Sequence, residues 1–175
     1  MDYDELLRRN RKKPLFSRDT LSPLAWGTEQ IKLILPHREP FLLVDELTGV
    51  DLSEESIAGL RSLSESDPVF RGHFPGSPVY PGCLEVEMIG QLGLCLSYFL
   101  QKRSLDPPAV PHVLKVRATR IVGAYFLSPV LPGGQVTLLA KKLEDDGYFA
   151  RVIGQVLNGD AVACAAISEV CFVEP

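Results

Sequence analysis

Residues that build metal centres and disulfide frameworks are scarce in this sequence. It has four cysteines and three histidines among 175 residues, with no Cys-x-x-Cys pair and no histidine near a cysteine at metal-ligand spacing. An even cysteine count would permit two disulfides, but the chain is not a short, cysteine-dense secreted domain. We therefore expect no metal site, and reduced, mostly buried cysteines in a cytoplasmic protein.

Long apolar runs are missing as well. No stretch approaches the ~20 apolar residues of a transmembrane helix, and the N-terminal residues are charged, unlike a secretory signal. The formal net charge of -4 argues against a dedicated nucleic-acid-binding protein, which usually has a basic balance. These features predict a soluble protein with no membrane span and no nucleic-acid partner.

What is present suits one globular domain with an extension in front of it. A length of 175 residues and a hydrophobic fraction of 46% allow a single sizeable core. Residues 1–27 contain a basic run at 8–13 that nearby acidic residues dilute, so we interpret them as an N-terminal extension. Trp26 and apolar neighbours suggest that part of this extension docks on the domain, which we place at 28–175.

The pattern of apolar residues predicts one buried helix and a set of strands. A short helix at 28–35 precedes a strand at 41–44, which we expect to form a hairpin with 57–63. The stretch 67–82 is rich in proline and glycine, which excludes a regular helix or a central strand. Apolar residues cover nearly all sides of a helix at 83–100, as in a helix surrounded by protein.

The C-terminal half alternates strands with turns. Its Asp-Gly and Asn-Gly steps are strong hairpin signals. The predicted strands lie at 113–124, 135–143, 149–157 and 161–173. One central helix followed by antiparallel hairpins indicates an α+β domain, in which a curled antiparallel sheet wraps around the helix.

Two side chains and one main-chain group stand out as chemically useful. His73 has small neighbours that leave its imidazole approachable, whereas we expect His37 to make a structural hydrogen bond and His112 to lie on the surface. Glu87 sits on an otherwise apolar helix, where a carboxylate must be hydrogen-bonded, paired or functional because burying it alone is costly. Gly82 places an N–H at the positive end of the helix dipole, a suitable donor for a carbonyl oxygen that gains charge.

The residues alone leave two interpretations of Glu87 open, a catalytic acid and a salt bridge at a subunit interface. Gln91 lies four residues further on and shares its helix face. Glu85 lies two residues earlier and points elsewhere, so the two glutamates do not form a paired-carboxylate site. In the first turn of the helix, Glu85 is expected to be exposed to solvent or an interface. The pattern thus indicates an acid–base site beside an apolar channel without defining a substrate.

Several motifs together resemble a known family. They are Leu-Pro-His-Arg-Glu-Pro-Phe-Leu-Leu-Val-Asp at 35–45, Gly-His-Phe-Pro-Gly at 72–76, Pro-Gly-Cys-Leu-Glu-Val-Glu at 81–87 with Gln91, and Ser-Pro-Val-Leu-Pro-Gly at 128–133. In order and spacing they closely resemble the FabZ-type 3-hydroxyacyl-[acyl carrier protein] dehydratases of type II fatty acid synthesis, which have the hot-dog fold. The resemblance covers roughly residues 28–173. Glu87 matches the glutamate branch of that family, while Cys83 is more typical of the branch that also isomerises the double bond.

The resemblance implies a mechanism without a metal or organic cofactor. His73 would remove the α-proton of a 3-hydroxyacyl thioester, and Glu87 would protonate the departing β-hydroxyl. The Gly82 N–H would polarise the thioester carbonyl, the Val79 carbonyl would orient the imidazole, and Gln91 would hold Glu87. The substrate would be the (3R)-3-hydroxyacyl chain and the product the trans-2-enoyl thioester, in type II fatty acid synthesis or in a related polyketide or polyene route.

The same resemblance implies partners. The site would combine His73 of one subunit with Glu87 of the other in a homodimer, and three dimers could form a hexamer. Phe74 and Tyr80 would line or gate the acyl tunnel. An acidic acyl carrier protein would need a basic landing surface, for which the candidates are Arg71, Lys102, Arg103, Lys115, Arg117 and Arg120. Position 127, near the place where relatives often carry a basic residue, is Leu.

Two other functions remain open on the sequence. A hot-dog thioesterase would release free thiol, although such enzymes usually lack the Gly-His-Phe-Pro-Gly loop. The other alternative is a dehydratase-like subunit that binds carrier-linked chains without turning them over. Both catalytic positions hold the expected residues, so the sequence gives no reason to prefer this alternative.

Overall fold

The computed structural model describes residues 2–173, so the first residue of the predicted extension and the last two of the predicted domain lie outside it. The helices are α1 (Tyr3–Arg9), α2 (Thr28–Ile31), α3 (Pro68–Gly72) and α4 (Gly82–Lys102), with a 3-10 turn at Arg18–Thr20. The strands are β1 (Ser22–Gly27), β2 (Glu46–Asp51), β3 (Ser56–Ser62), β4 (Val116–Phe126), β5 (Gln135–Asp145), β6 (Phe149–Asn158) and β7 (Ala161–Phe172).

One sheet of seven strands, in the order β1-β2-β3-β5-β6-β7-β4, organises the molecule. Every pairing in it is antiparallel. The helix α4 packs against β3, β5, β6 and β7, so its apolar side chains and one face of the sheet form the main core. The predicted α+β class, central helix and four C-terminal strands are confirmed.

The packing of α4 explains why it is apolar on nearly all sides. By length and composition it could cross a membrane, but 67% of its most apolar window is buried inside the fold. Gly154 on β6 lets the helix approach closely, because a Cβ there would lie 2.4 Å from the Ile89 side chain. The helix ends at Arg103, which adopts a left-handed conformation and donates its N–H to the Phe99 carbonyl at 2.8 Å.

Local predictions fail in two segments before α4. No strand forms at 41–44 in the described chain, and the hairpin instead joins β2 to β3. Within the proline-rich stretch, α3 forms a short helix that we excluded. Proline is tolerated at the first helical position, and the Asp67 carboxylate caps the helix by accepting from the Val69 N–H at 3.0 Å.

Part of the N-terminal extension packs on the domain, as predicted from its apolar residues. Trp26, on β1, is 5% exposed and lies 4.9 Å from the Phe99 ring. Ahead of it, Leu7 of α1 is 2% exposed and joins a second apolar cluster with Leu139 and Ile153. Because neighbouring residues of a strand point to opposite faces, this cluster covers the side of the sheet away from α4. The division of the chain at residue 27 stays a prediction.

A buried glutamine fastens the extension to that outer face. Gln155 on β6 is fully buried and accepts a hydrogen bond from the Leu15 N–H at 2.7 Å. Its amide donates to the Lys13 carbonyl at 3.0 Å and also to the Asn10 carbonyl. One side chain therefore binds three main-chain groups of the extension.

The cysteines are free in the structure, and they are less buried than predicted. Cys95 and Cys164 are buried, whereas Cys83 is exposed and Cys171 is half-buried. Within residues 2–173, no group of three or more His, Cys, Asp or Glu side chains could hold a metal ion.

Candidate active site

The loop between α3 and α4 holds His73 in one orientation. Its Nδ1 lies 2.8 Å from the Val79 carbonyl oxygen, and its main-chain carbonyl accepts from the Val79 N–H at 2.8 Å. Because a carbonyl oxygen can only accept, Nδ1 must carry the hydrogen. In the neutral ring Nε2 therefore carries the lone pair, and His73 is poised to take up a proton there.

The start of α4 brings main chain close to this histidine. Gly82 is the first residue of the helix, where N–H groups have no intrahelical partner. A Cβ at Gly82 would lie 2.6 Å from the Phe126 ring, so a larger residue would fit only if that ring moved. The missing side chain leaves the main-chain N–H accessible to a ligand next to the positive end of the helix dipole.

Glu87 lies in a network that joins α4 to the 36–43 segment. Its Oε1 accepts from the Gln91 amide at 2.9 Å and lies 3.5 Å from Nε2 of His37. Gln91, which is 1% exposed, also accepts from the Leu43 N–H at 2.8 Å and donates to the Phe41 carbonyl at 2.9 Å. These bonds replace the strand pairing that we predicted at 41–44.

His37 therefore occupies a different place from the one we expected. Its ring faces the Glu87 carboxylate, while its buried Nδ1 has no hydrogen-bond partner in the described part of the chain. Burial lowers the pKa of His37, the nearby Glu87 opposes this by favouring the charged ring, and Arg38 lowers the pKa further. No local pattern in the sequence signals the contact, because the two residues come from separate elements.

A cavity of about 490 Å³ opens beside His73. Its walls include His73, Gly82, Glu85, Phe126 and Ser128. Most of the remaining wall is apolar, from Val79, Pro81, Leu127 and Pro129. The lining therefore combines the His73 imidazole with the N-terminus of α4. Glu87 is not part of it within the described chain.

The two aromatic residues expected at the acyl tunnel differ in exposure. Phe74 is 54% exposed, and its ring stacks on the His73 imidazole at a centroid distance of 4.0 Å. Tyr80 lines the cavity but is only 2% exposed, with its ring 5.7 Å from that of Phe70. Burial raises the pKa of Tyr80 to about 12, so its hydroxyl remains protonated at neutral pH.

Glu85 contradicts its expected exposure. It is 4% exposed, and its Oε2 has no hydrogen-bond partner among residues 2–173. Burial raises the pKa of this carboxyl to about 8. Residues that follow α4 in the chain, Phe126 and Ser128, form the facing wall of the cavity, so the position of Glu85 in the first helical turn could not reveal its burial.

Comparisons with known proteins identify the family of this chain. A family model described as a FabA-like domain matches residues 35–166. The 3-hydroxyacyl-[acyl-carrier-protein] dehydratase FabZ of Campylobacter jejuni is 39% identical over 139 residues, which are 79% of this chain and 92% of that protein. The FabZ of Sulfurovum sp. is 36% identical over 153 residues, or 86% of this chain and 99% of the relative.

Solved structures with low sequence identity share the fold. The dehydratase heterocomplex ApeI:P from Xenorhabdus doucetiae matches with a TM-score of 0.57 at 15% identity, covering 82% of this chain and 91% of that one. A mutant of thioesterase PA1618 from Pseudomonas aeruginosa matches with a TM-score of 0.57 at 16% identity, covering 88% of this chain and 99% of the other. The fold is the predicted hot-dog fold, and by its family model and its FabZ relatives the chain belongs to the FabA-like family.

Proposed function

We propose that this protein dehydrates 3-hydroxyacyl-[acyl carrier protein] to the trans-2-enoyl thioester. The family and its FabZ relatives support the reaction. The single observation that carries the site assignment is the Nδ1 contact of His73 with the Val79 carbonyl, since it leaves Nε2 free as a base next to the start of α4.

The reaction divides between two side chains. Nε2 of His73 takes the α-proton, while Glu87 acts as the acid and gives a proton to the β-hydroxyl, which leaves as water as the double bond forms. The Gly82 N–H donates to the thioester carbonyl as negative charge develops on it. Transfer of a proton from His73 to Glu87 restores both groups, so the cycle needs no other reactant.

A composite site in a dimer accounts for the separate surroundings of the two residues. In one chain His73 lines the cavity, whereas Glu87 contacts Gln91 and His37. The strand β4 is the last in the sheet and pairs with β7 on one side. Its other edge has no strand partner in residues 2–173, and Ile121 on it is 61% exposed. Pairing of two such edges would join the sheets and bring Glu87 of one subunit to His73 of the other.

The carrier protein is the proposed partner of this dimer. The basic side chains identified as candidates for its landing surface are all exposed: Arg71, Lys102, Arg103, Lys115, Arg117 and Arg120. Arg117 and Arg120 lie on β4, close to the proposed dimer junction. The proposal also includes the assembly of three dimers into a hexamer and a cytoplasmic location. It further includes the (3R) configuration of the substrate.

Mixed subunits test both the reaction and the composite site. The wild-type protein, incubated with carrier-linked 3-hydroxyacyl and enoyl chains, should lose or add one water by mass spectrometry. H73A and E87A should each lose about 10²-fold or more in rate. Coexpressed H73A and E87A subunits should regain roughly a quarter of wild-type activity, because half of the random dimers would contain one intact site.

Different outcomes separate the alternatives. Activity that survives in both single variants would contradict the assignment of His73 and Glu87. No recovery in the mixed dimers would show that the two residues act within one chain. Release of free thiol instead of water would identify a thioesterase, and tight carrier binding without turnover would identify a binding subunit.

A further inference from the structure

The carboxyl of Glu85 is an unused polar group in the wall of the cavity beside His73. It lies one turn into α4, is 4% exposed, and lines the cavity together with Gly82 and Phe126. Its Oε2 has no hydrogen-bond partner within the described residues. The dehydration mechanism gives this side chain no role, since the proton donor is Glu87.

Without a bound ligand, a buried carboxyl that has no hydrogen-bond partner destabilises the folded protein. The burial that raises its pKa to about 8 keeps the group protonated at neutral pH. It is then one O–H donor with remaining acceptor capacity. Its titratable neighbours include Tyr80 and Cys164, both buried, so the surroundings of the carboxyl are largely neutral.

The position of Glu85 indicates what it would contact. Residues three apart share a helix face, so Glu85 lies on the same side as Gly82, about 4.5 Å further along the helix axis. If the Gly82 N–H holds the thioester carbonyl and the acyl chain runs along α4 from that point, the Glu85 carboxyl lies beside carbons beyond the β-carbon. A plain hydrocarbon there would leave the Glu85 carboxyl without a hydrogen-bond partner, whereas a hydroxyl or keto oxygen would give it one.

We propose that Glu85 is a specificity residue that selects acyl chains carrying a hydroxyl or keto oxygen beyond the β-carbon. The inference rests on the proposed dehydratase function and names its substrate class. Such chains come from carrier-linked condensation reactions whose keto groups are not fully reduced and removed.

Two substrates and two variants test this selection. The substrates are 3-hydroxyoctanoyl and 3,5-dihydroxyoctanoyl chains on the same carrier, compared by kcat/KM. The wild type should prefer the dihydroxy chain by about tenfold, the value of roughly one hydrogen bond. E85L should reverse that preference, with a lower kcat/KM for the 3,5-dihydroxyoctanoyl chain and a higher kcat/KM for the 3-hydroxyoctanoyl chain. E85Q should keep most of the preference, because an amide can still donate and accept. The exposed Glu29 provides the control variant E29Q, which should leave the ratio unchanged.

Each outcome bears on a separate claim. An unchanged ratio in E85L, or an equal loss on both substrates, overturns the specificity role, and the equal loss would place Glu85 in the chemistry itself. If E85L does not fold, E85A must lose the preference instead, since it also removes the carboxyl. If the wild type dehydrates neither chain, the proposed function fails together with this inference.

Discussion

Replacement of Gln91 by leucine should both destabilise the fold and disturb the surroundings of Glu87. The leucine keeps the volume but removes the amide that accepts from the Leu43 N–H and donates to the Phe41 carbonyl. Leu43 is 3% exposed, so its N–H would remain buried without a partner, at a cost of about 1–3 kcal/mol. Loss of the partly solvated Phe41 bond adds about 1 kcal/mol, and we expect Q91L to lose roughly 2–4 kcal/mol of unfolding free energy.

Urea unfolding of wild type and Q91L at the same pH measures this loss. Q101L is the matched control, because Gln101 lies near the end of the same helix with an exposed side chain, and its stability should change by less than ~0.5 kcal/mol. Glu87 also loses its donor at 2.9 Å, so the dehydration rate of Q91L should fall below that of Q101L. A stability loss of less than about 1 kcal/mol would refute the claim that Gln91 replaces strand pairing in this segment.

Two further changes test the packing. Q155L should free residues 10–15 from the outer face of the sheet and make the basic run at 8–13 sensitive to trypsin in the native protein. The control Q135L changes an exposed glutamine and should leave this run resistant. Identical digestion patterns for the two variants would contradict the role of Gln155 in holding the extension. E85Q should gain stability relative to wild type as pH rises, because the folded-state pKa of about 8 lies above the ordinary 4.5. Wild-type stability therefore falls between those pH values, by at most ~5 kcal/mol. A stability difference between E85Q and wild type that stays constant from pH 5 to pH 8.5, measured by thermal unfolding, would count against the buried acid.

Features set by neighbours in sequence were predictable. The helix α4 follows from apolar residues on all its sides, and the C-terminal hairpins follow from their Asp-Gly and Asn-Gly turns. The resemblance located the histidine and glutamate positions, and the contact of His73 with the Val79 carbonyl lies within one short loop.

Features set by distant side chains were not predictable. The apolar segment at 41–44 has the composition of a strand, yet the buried Gln91 satisfies its backbone from another element. Glu85 looks exposed by its place in a first turn, and Phe126 and Ser128 close the cavity around it only in three dimensions. The contact between His37 and Glu87 likewise depends on how the 36–43 segment crosses α4.

The carbonyl of Val79 has a consequence for how this site tolerates change. It belongs to the main chain, as does the N–H of Gly82, so replacing the valine side chain leaves the acceptor that orients the imidazole in place. A scan that truncates side chains one at a time would therefore register His73 and miss the group that aims it. The side chain at position 79 can therefore change without loss of this contact, whereas a change in the backbone path between α3 and α4 would misplace the imidazole.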